Sequence, residues 1–271
     1  MISRLRLFAH QLNKAKMSTA THNTNKACCT IPPVQSNYTP KGSFASHGDF
    51  KKVYVTGPDA SDNAIVCVFD IFGFFPQTQQ GADIIASTLK TKVYMPDFFD
   101  PAPAFPADNF PPKTDEAKKQ LQDFFGGPAS PPDTMKKLVA FGNHLKSNGA
   151  KRLGVYGFCW GGKVTLLASG DATPFDAASI IHPAMLSAED VQKLTIPLAL
   201  YPSQDEPKEE YQKIVDILAQ KSFASSCDHK YYADMFHGWA AARGNLENED
   251  NKKAYEEVYG KLVNYFQKTL A

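Results

Sequence analysis

"RLGVYGFCWGGKV", residues 152–164, admits two readings that exclude one another. Gly157 to Lys163 fits the G-x-x-x-x-G-K of a phosphate-cradling loop. Gly157-Phe158-Cys159-Trp160-Gly161 fits G-x-nucleophile-x-G, a tight strand-to-helix turn that carries cysteine at its tip. The phosphate reading fails at Val164, where Ser or Thr is needed to hold magnesium. It also puts bulky Phe158 and Trp160 in a loop whose backbone amides must wrap phosphates. The next apolar run, "AASIIH", ends in histidine rather than a magnesium-binding aspartate, and "IVCVFD", which does end in aspartate, lies upstream.

The nucleophile reading makes demands that the residues meet. A strained turn brings the flanking chain close, so the positions two before and two after its tip must be small, and Gly157 and Gly161 supply them. Cys159 then stands at a helix N-terminus, where the positive end of the helix dipole favours thiolate. The same geometry aims the backbone N–H of Trp160 at a developing oxyanion. Buried cysteines more often pack as small hydrophobes, but the G-x-C-x-G-G setting argues against that role here.

Working outward, apolar runs alternate with helical patterns. "KKVYVTG", "AIVCVFD", "KVYMPD", "RLGVYG", "AASIIH", "PLALYP" and "KYYAD" read as strands. Helices are expected through Ile84, Ile85 and Leu89, over "TDEAKKQLQDFF", from Pro132 to Lys146, from Gly161, near Ser187, from Pro207 to Gln220, and from about Asn251, where Ala254, Val258, Leu262 and Phe266 recur at i+4. Strands joined by crossover helices define an α/β class with a mostly parallel central sheet and helices on both faces. The Pro-rich stretch 96–112 is too broken for regular structure. Its Phe98, Phe99, Phe105 and Phe110 either line a pocket or anchor a surface loop.

A nucleophile on such a turn requires an acid after a later strand and a histidine near the end of the chain, in that order. Asp205 follows the strand 197–201 and precedes a helix; His237 follows the last strand and precedes the last helix. Both therefore fall in loops at the carboxyl edge of the sheet, where α/β proteins collect their ligand and catalytic groups. His237 would take the thiol proton and Asp205 would fix the imidazole tautomer. Glu206 adjoins Asp205 and is the rival acid, though its place before Pro207 reads as the opening of a helix. His182, followed by Pro183, lies near the site and reads as a turn residue; His144 and His229 read as structural or solvent-facing.

The chain has 271 residues, 43% hydrophobic and 21% charged, enough for one large core without the charge excess of disorder. A net charge of +1 leaves no surplus for following a phosphate backbone, so a nucleic-acid partner is not expected. The five cysteines are odd in number and form no C-x-x-C pair, which fits a reducing compartment. No apolar run reaches the roughly 18 residues of a membrane span. Residues 1–48 contain no Asp or Glu; Arg4, Arg6, Lys14 and Lys16 punctuate the first 16. We read 1–48 as a basic irregular segment and 49–271 as the folded domain. Cytoplasmic location is the expectation; the basic start also resembles a mitochondrial transit peptide, with an upstream start before Met17 as the plainer reading.

"FDIFG", "MPDFF", "GVYGFCWGGK" and "FHGW" followed by Arg243 together resemble the dienelactone hydrolase (carboxymethylenebutenolidase) family of α/β-hydrolases, from about residue 50 to the end. The resemblance implies a Cys-Asp-His triad on Cys159, Asp205 and His237, hydrolysis of a small-molecule ester or lactone through a thioester, and neither metal nor organic cofactor. It implies further that the backbone N–H of Ile71 is a second oxyanion donor beside that of Trp160. Asp70, where relatives often carry glutamate, would influence the ionisation of the nucleophile; on its own an Asp at a strand end is more often a turn cap. Arg243 would bind a substrate carboxylate, or else pair with Glu247 on the surface. A second arginine of the family has no counterpart, because no arginine lies between Arg6 and Arg152. A monomer or weak homodimer is expected. The competing reading is a non-catalytic binding protein on the same fold, against which the complete set of three residues stands.

Overall fold

The computed structural model describes residues 37–271; the basic start of the chain, with its targeting reading, lies outside the described residues. Eight strands form one sheet in the order β1-β2-β4-β3-β5-β6-β7-β8. They are β1 (Ser43–His47), β2 (Phe50–Thr56), β3 (Asn63–Val68), β4 (Lys92–Pro96), β5 (Arg152–Phe158), β6 (Ala177–Ile181), β7 (Leu198–Tyr201) and β8 (Asp228–His229). The first two pairings, β1 with β2 and β2 with β4, are antiparallel, and every pairing from β4 through β8 is parallel. The helices are α1 (Pro76–Leu89), α2 (Asp115–Gly126), α3 (Pro131–Ser147), α4 (Trp160–Leu167), α5 (Ala188–Gln192), α6 (Lys208–Leu218) and α7 (Glu249–Thr269). This is the expected α/β architecture: α1 packs on α7, while α3 packs on α4 and α5 on α6.

Central strands read as unbroken apolar runs because helices cover both of their faces. β5 and β6 are buried throughout apart from Arg152, and the i+4 row of α7 is buried as its spacing predicts. Helix starts follow local chemistry: the Thr114 hydroxyl accepts from Ala117 N–H at 3.1 Å, and the Asn248 side chain accepts from Asn251 N–H at 2.9 Å.

Two boundaries differ from the sequence reading. The ordered sheet begins before residue 49, because "SFASH" pairs with β2 as a hairpin with an irregular register between Ala45 and His47. Even earlier, the Tyr38 hydroxyl and Lys41 N–H donate to Asp83 of α1, at 2.7 and 2.8 Å. "KYYAD" is not a full strand: β8 is the preceding Asp228–His229, and only Tyr232 bridges to Ser203 before the chain turns inward. The Pro-rich stretch is irregular, as expected, apart from a 3-10 turn over Ala107–Asn109. All four of its phenylalanines are buried.

Candidate active site

The turn between β5 and α4 is built as its glycines require. Cys159 has φ 54° and ψ −120°, outside the regions open to most side chains and strained for a cysteine. A Cβ on Gly157 would lie 2.1 Å from the Gly161 carbonyl oxygen, and one on Gly161 would lie 2.3 Å from that of Val68. No side chain fits at either place. The end of β6 and the segment after it clamp the tip from both sides: Cys159 N–H donates to the Ile181 carbonyl at 3.2 Å, and Ala184 N–H donates to the Cys159 carbonyl at 2.8 Å. Cys159 itself is buried, 3% exposed.

Trp160, the first residue of α4, is fixed by its side chain. Its indole N–H donates to the Ala129 carbonyl at 2.7 Å and its ring lies 4.8 Å from that of Phe99. An N1 backbone N–H has no partner within its own helix, so this anchoring orients a donor beside Cys159. Ile71 follows β3 at the same edge, fully buried, and its carbonyl accepts from Phe105 N–H at 2.9 Å. The two segments expected to flank an oxyanion are thus both tied to the loops around them.

The acid and base come together at this edge, but not in the expected pairing. Glu206 Oε1 stands 2.6 Å from Nδ1 of His237, and both side chains are 1% exposed. Glu206 also accepts from Ser203 N–H at 2.5 Å. The Asp205 carboxylate instead accepts the backbone N–H of His237, at 2.7 Å. The assignment of Asp205 to the imidazole is therefore corrected: Glu206 holds the ring, and Asp205 holds the loop that carries it. The cause is local. A tight turn over Ser203–Glu206, closed by Glu206 N–H on the Ser203 carbonyl and Asp205 N–H on the Ser203 hydroxyl, turns consecutive side chains in different directions. Glu206 does not open α6, which starts at Lys208 after Pro207.

Asp70 is buried at the end of β3 and joins two loops of the site. Its carboxylate accepts from Phe72 N–H at 3.0 Å and, across 172 positions of sequence, from Ala242 N–H at 3.2 Å. The turn-cap role and a tie to the histidine loop are both present. Arg243 is 2% exposed, which removes the surface pairing with Glu247. Its guanidinium lies 5.6 Å from the centre of the Phe110 ring and 5.8 Å from that of Phe236. An arginine flanked by aromatic faces is a buried cation with a planar hydrogen-bonding edge.

Two residues of the region have settings that the sequence reading did not give them. Lys163, read as an ordinary early helix residue, forms a buried ion pair with Asp190 of α5 and also donates to the Met185 carbonyl at 3.4 Å. His182, read as a turn residue, is fully buried with its ring 5.1 Å from that of His237. Burial, and then the neighbouring His237, hold its pKa well below the usual 6.5, so it is neutral. Among the described residues no group of His, Cys, Asp and Glu is arranged to hold a metal ion, and no helix is long and apolar enough to cross a membrane.

A parallel-rich sheet with a strained, cysteine-tipped turn after β5, a carboxylate pair after β7 and a histidine after β8 has the layout of the α/β-hydrolase fold. The chain belongs to the dienelactone hydrolase family, whose model matches residues 52–270. It is 31% identical over 233 residues to an uncharacterized AIM2 family protein of Schizosaccharomyces pombe, covering 85% of this chain and 92% of that one. It is 28% identical over 235 residues to the carboxymethylenebutenolidase homolog of Mus musculus, covering 80% and 87%. The fold is shared with a dienelactone hydrolase-like promiscuous phosphotriesterase from metagenomic libraries, at a TM-score of 0.57 and 15% identity, covering 85% of this chain and 98% of that one. The family makes this protein a hydrolase.

Proposed function

We propose that the protein cleaves carboxylic-ester or lactone bonds, with Cys159 as nucleophile, His237 as base and then acid, and Glu206 as the group that fixes the imidazole. The observation that carries this reading is the buried Glu206–His237 pair at the sheet edge that also presents Cys159 on its strained turn. With Nδ1 of His237 held by Glu206, Nε2 is the nitrogen left to exchange protons with sulfur and substrate.

The steps follow from these positions. His237 takes the Cys159 proton, and the thiolate, favoured at the helix N-terminus, attacks the acyl carbon. The oxyanion is received by the N–H groups of Trp160 and Ile71. The protonated His237, stabilised by Glu206, gives its proton to the alkoxide as the C–O bond breaks, leaving a thioester on Cys159. Water then attacks the thioester carbon, passing a proton to His237; the C–S bond breaks, the acid departs, and the thiolate regains the proton. Arg243, buried between Phe110 and Phe236, is assigned to a carboxylate on the substrate.

A panel of lactones and small esters, with and without a free carboxylate, tests the reading. Hydrolysis by the wild type and its loss in Cys159→Ala are expected; full activity in that variant would remove the mechanism.

A further inference from the structure

His182 lies outside the three-residue machinery, yet its setting is that of a working group. Its imidazole is 0% exposed, and neither ring nitrogen has a hydrogen-bond partner on another of the described residues. A wholly buried polar ring with no hydrogen-bond partner beyond its own backbone is retained against a desolvation cost, and structural histidines normally meet it with a carbonyl or carboxylate of another residue. The backbone is also held where non-glycine residues seldom sit, with φ 35°, by His182 N–H donating to the Tyr201 carbonyl at 2.9 Å. The bracketing residues Ile181 and Ala184 hold the Cys159 backbone, so the ring is attached directly to the clamp on the nucleophile. It stands at 61° to the His237 ring, backed by Phe158 and Trp239 at 5.6 and 6.4 Å.

We propose that His182 is a second catalytic histidine, whose unprotonated ring nitrogen holds the water that hydrolyses the acyl-enzyme beside His237. This rests on the thioester mechanism above. Two imidazoles with centres 5.1 Å apart can share one water once the rings part to admit it, since neither His182 nitrogen is open to solvent in the resting protein. One water proton goes to His237, the second hydrogen bonds to His182, and the oxygen lone pair is left to attack the thioester carbon. The bond to sulfur breaks, Cys159 leaves as thiolate and takes back the proton from His237, and the balance is thioester plus water giving acid plus thiol. His182 must be neutral to accept that hydrogen bond and to sit beside a transiently cationic His237. Its burial among Phe158 and Trp239 ensures this. Thiol acylation needs no water, so His182 acts on the second half of the reaction alone.

His182→Phe keeps an aromatic ring and removes both nitrogens. With p-nitrophenyl acetate, rapid mixing reads acylation as the burst of nitrophenolate, and intact-protein mass spectrometry reads the acetyl adduct on Cys159. The expected result is a burst within about twofold of wild type and deacetylation slowed by about tenfold or more, so that the adduct accumulates. Deacetylation at the wild-type rate overturns the proposal, and so does an equal slowing of both steps, which would mean that the ring only positions Cys159 or His237. Should the phenylalanine variant not fold by thermal melting, His182→Leu is read in the same way. Turnover by the wild type with no adduct ever found on Cys159, and with Cys159→Ala active, removes the underlying mechanism instead; an adduct with unchanged deacetylation removes the role of His182 alone.

Discussion

Glu206 and Asp205 divide one task between side chain and backbone: Glu206 holds the His237 ring through Nδ1 at 2.6 Å, and Asp205 holds the His237 N–H at 2.7 Å. The first contact sets the tautomer, while the second sets where the loop places the ring. Glu206→Gln keeps the shape but cannot stabilise an imidazolium, and kcat/KM for an ester should fall by about 10²–10⁴-fold. Asp205→Asn retains an acceptor oxygen for the backbone, so its loss should stay below about tenfold. Steady-state kinetics of the two variants decide between them; the reverse ranking would return the acid role to Asp205.

The glycines of the turn are predicted to be intolerant for steric reasons. Gly157→Ala sets a methyl 2.1 Å from the Gly161 carbonyl, and melting should show a loss of at least about 2 kcal/mol. Gly260→Ala, in the interior of α7 with nothing near the added methyl, should gain about 0.5–1 kcal/mol. Equal tolerance at both positions would contradict the packing described for the turn.

Lys163 and Asp190 bury opposite charges on α4 and α5. Lys163→Met leaves the Asp190 carboxylate without its countercharge and should cost about 3–5 kcal/mol. The double variant Lys163→Met/Asp190→Leu should recover most of that loss in denaturant unfolding. A neutral single variant would mean that water reaches the pair.

His182 gives stability a pH dependence whose sign is fixed. Its folded pKa lies well below 6.5, chiefly from burial, so below about pH 6.5 the unfolded chain binds a proton that the folded chain does not. Stability from this residue is complete above the unfolded value and is lost as pH falls beneath it. Chemical denaturation from pH 7.5 to 5 should show a shallower decline in His182→Phe than in the wild type. Parallel slopes would mean that the ring takes a proton in the folded protein.

The turn was legible because its requirement is local: two glycines flank a cysteine, and each glycine has a steric reason. The order of acid and histidine was legible because loops at the carboxyl ends of β7 and β8 follow from strand alternation. The choice between Asp205 and Glu206 was not, since adjacent carboxylates differ only in how the four-residue turn Ser203–Glu206 aims them. The Lys163–Asp190 pair spans 27 positions and the Asp70–Ala242 contact 172, separations at which no sequence period operates. "SFASH" carries too weak an alternation to declare an edge strand, and its strand character comes from pairing with β2. The choice between a substrate-binding and a surface Arg243 stayed open because its aromatic neighbours, Phe110 and Phe236, come partly from a distant loop.

The central claim is that one sulfur, on Cys159, performs the chemistry. Cys159, Cys67 and Cys227 form no disulfide among the described residues. Burial pushes the thiol pKa of both Cys67 and Cys227 up, which suppresses their thiolates. Titration with iodoacetamide, following ester hydrolysis and mapping the adduct by peptide mass spectrometry, tests the claim directly. Activity should fall in proportion to modification of Cys159 and reach zero when that residue is fully alkylated, whatever the occupancy of the other cysteines. Full ester hydrolysis by a chain completely alkylated at Cys159 would contradict the account.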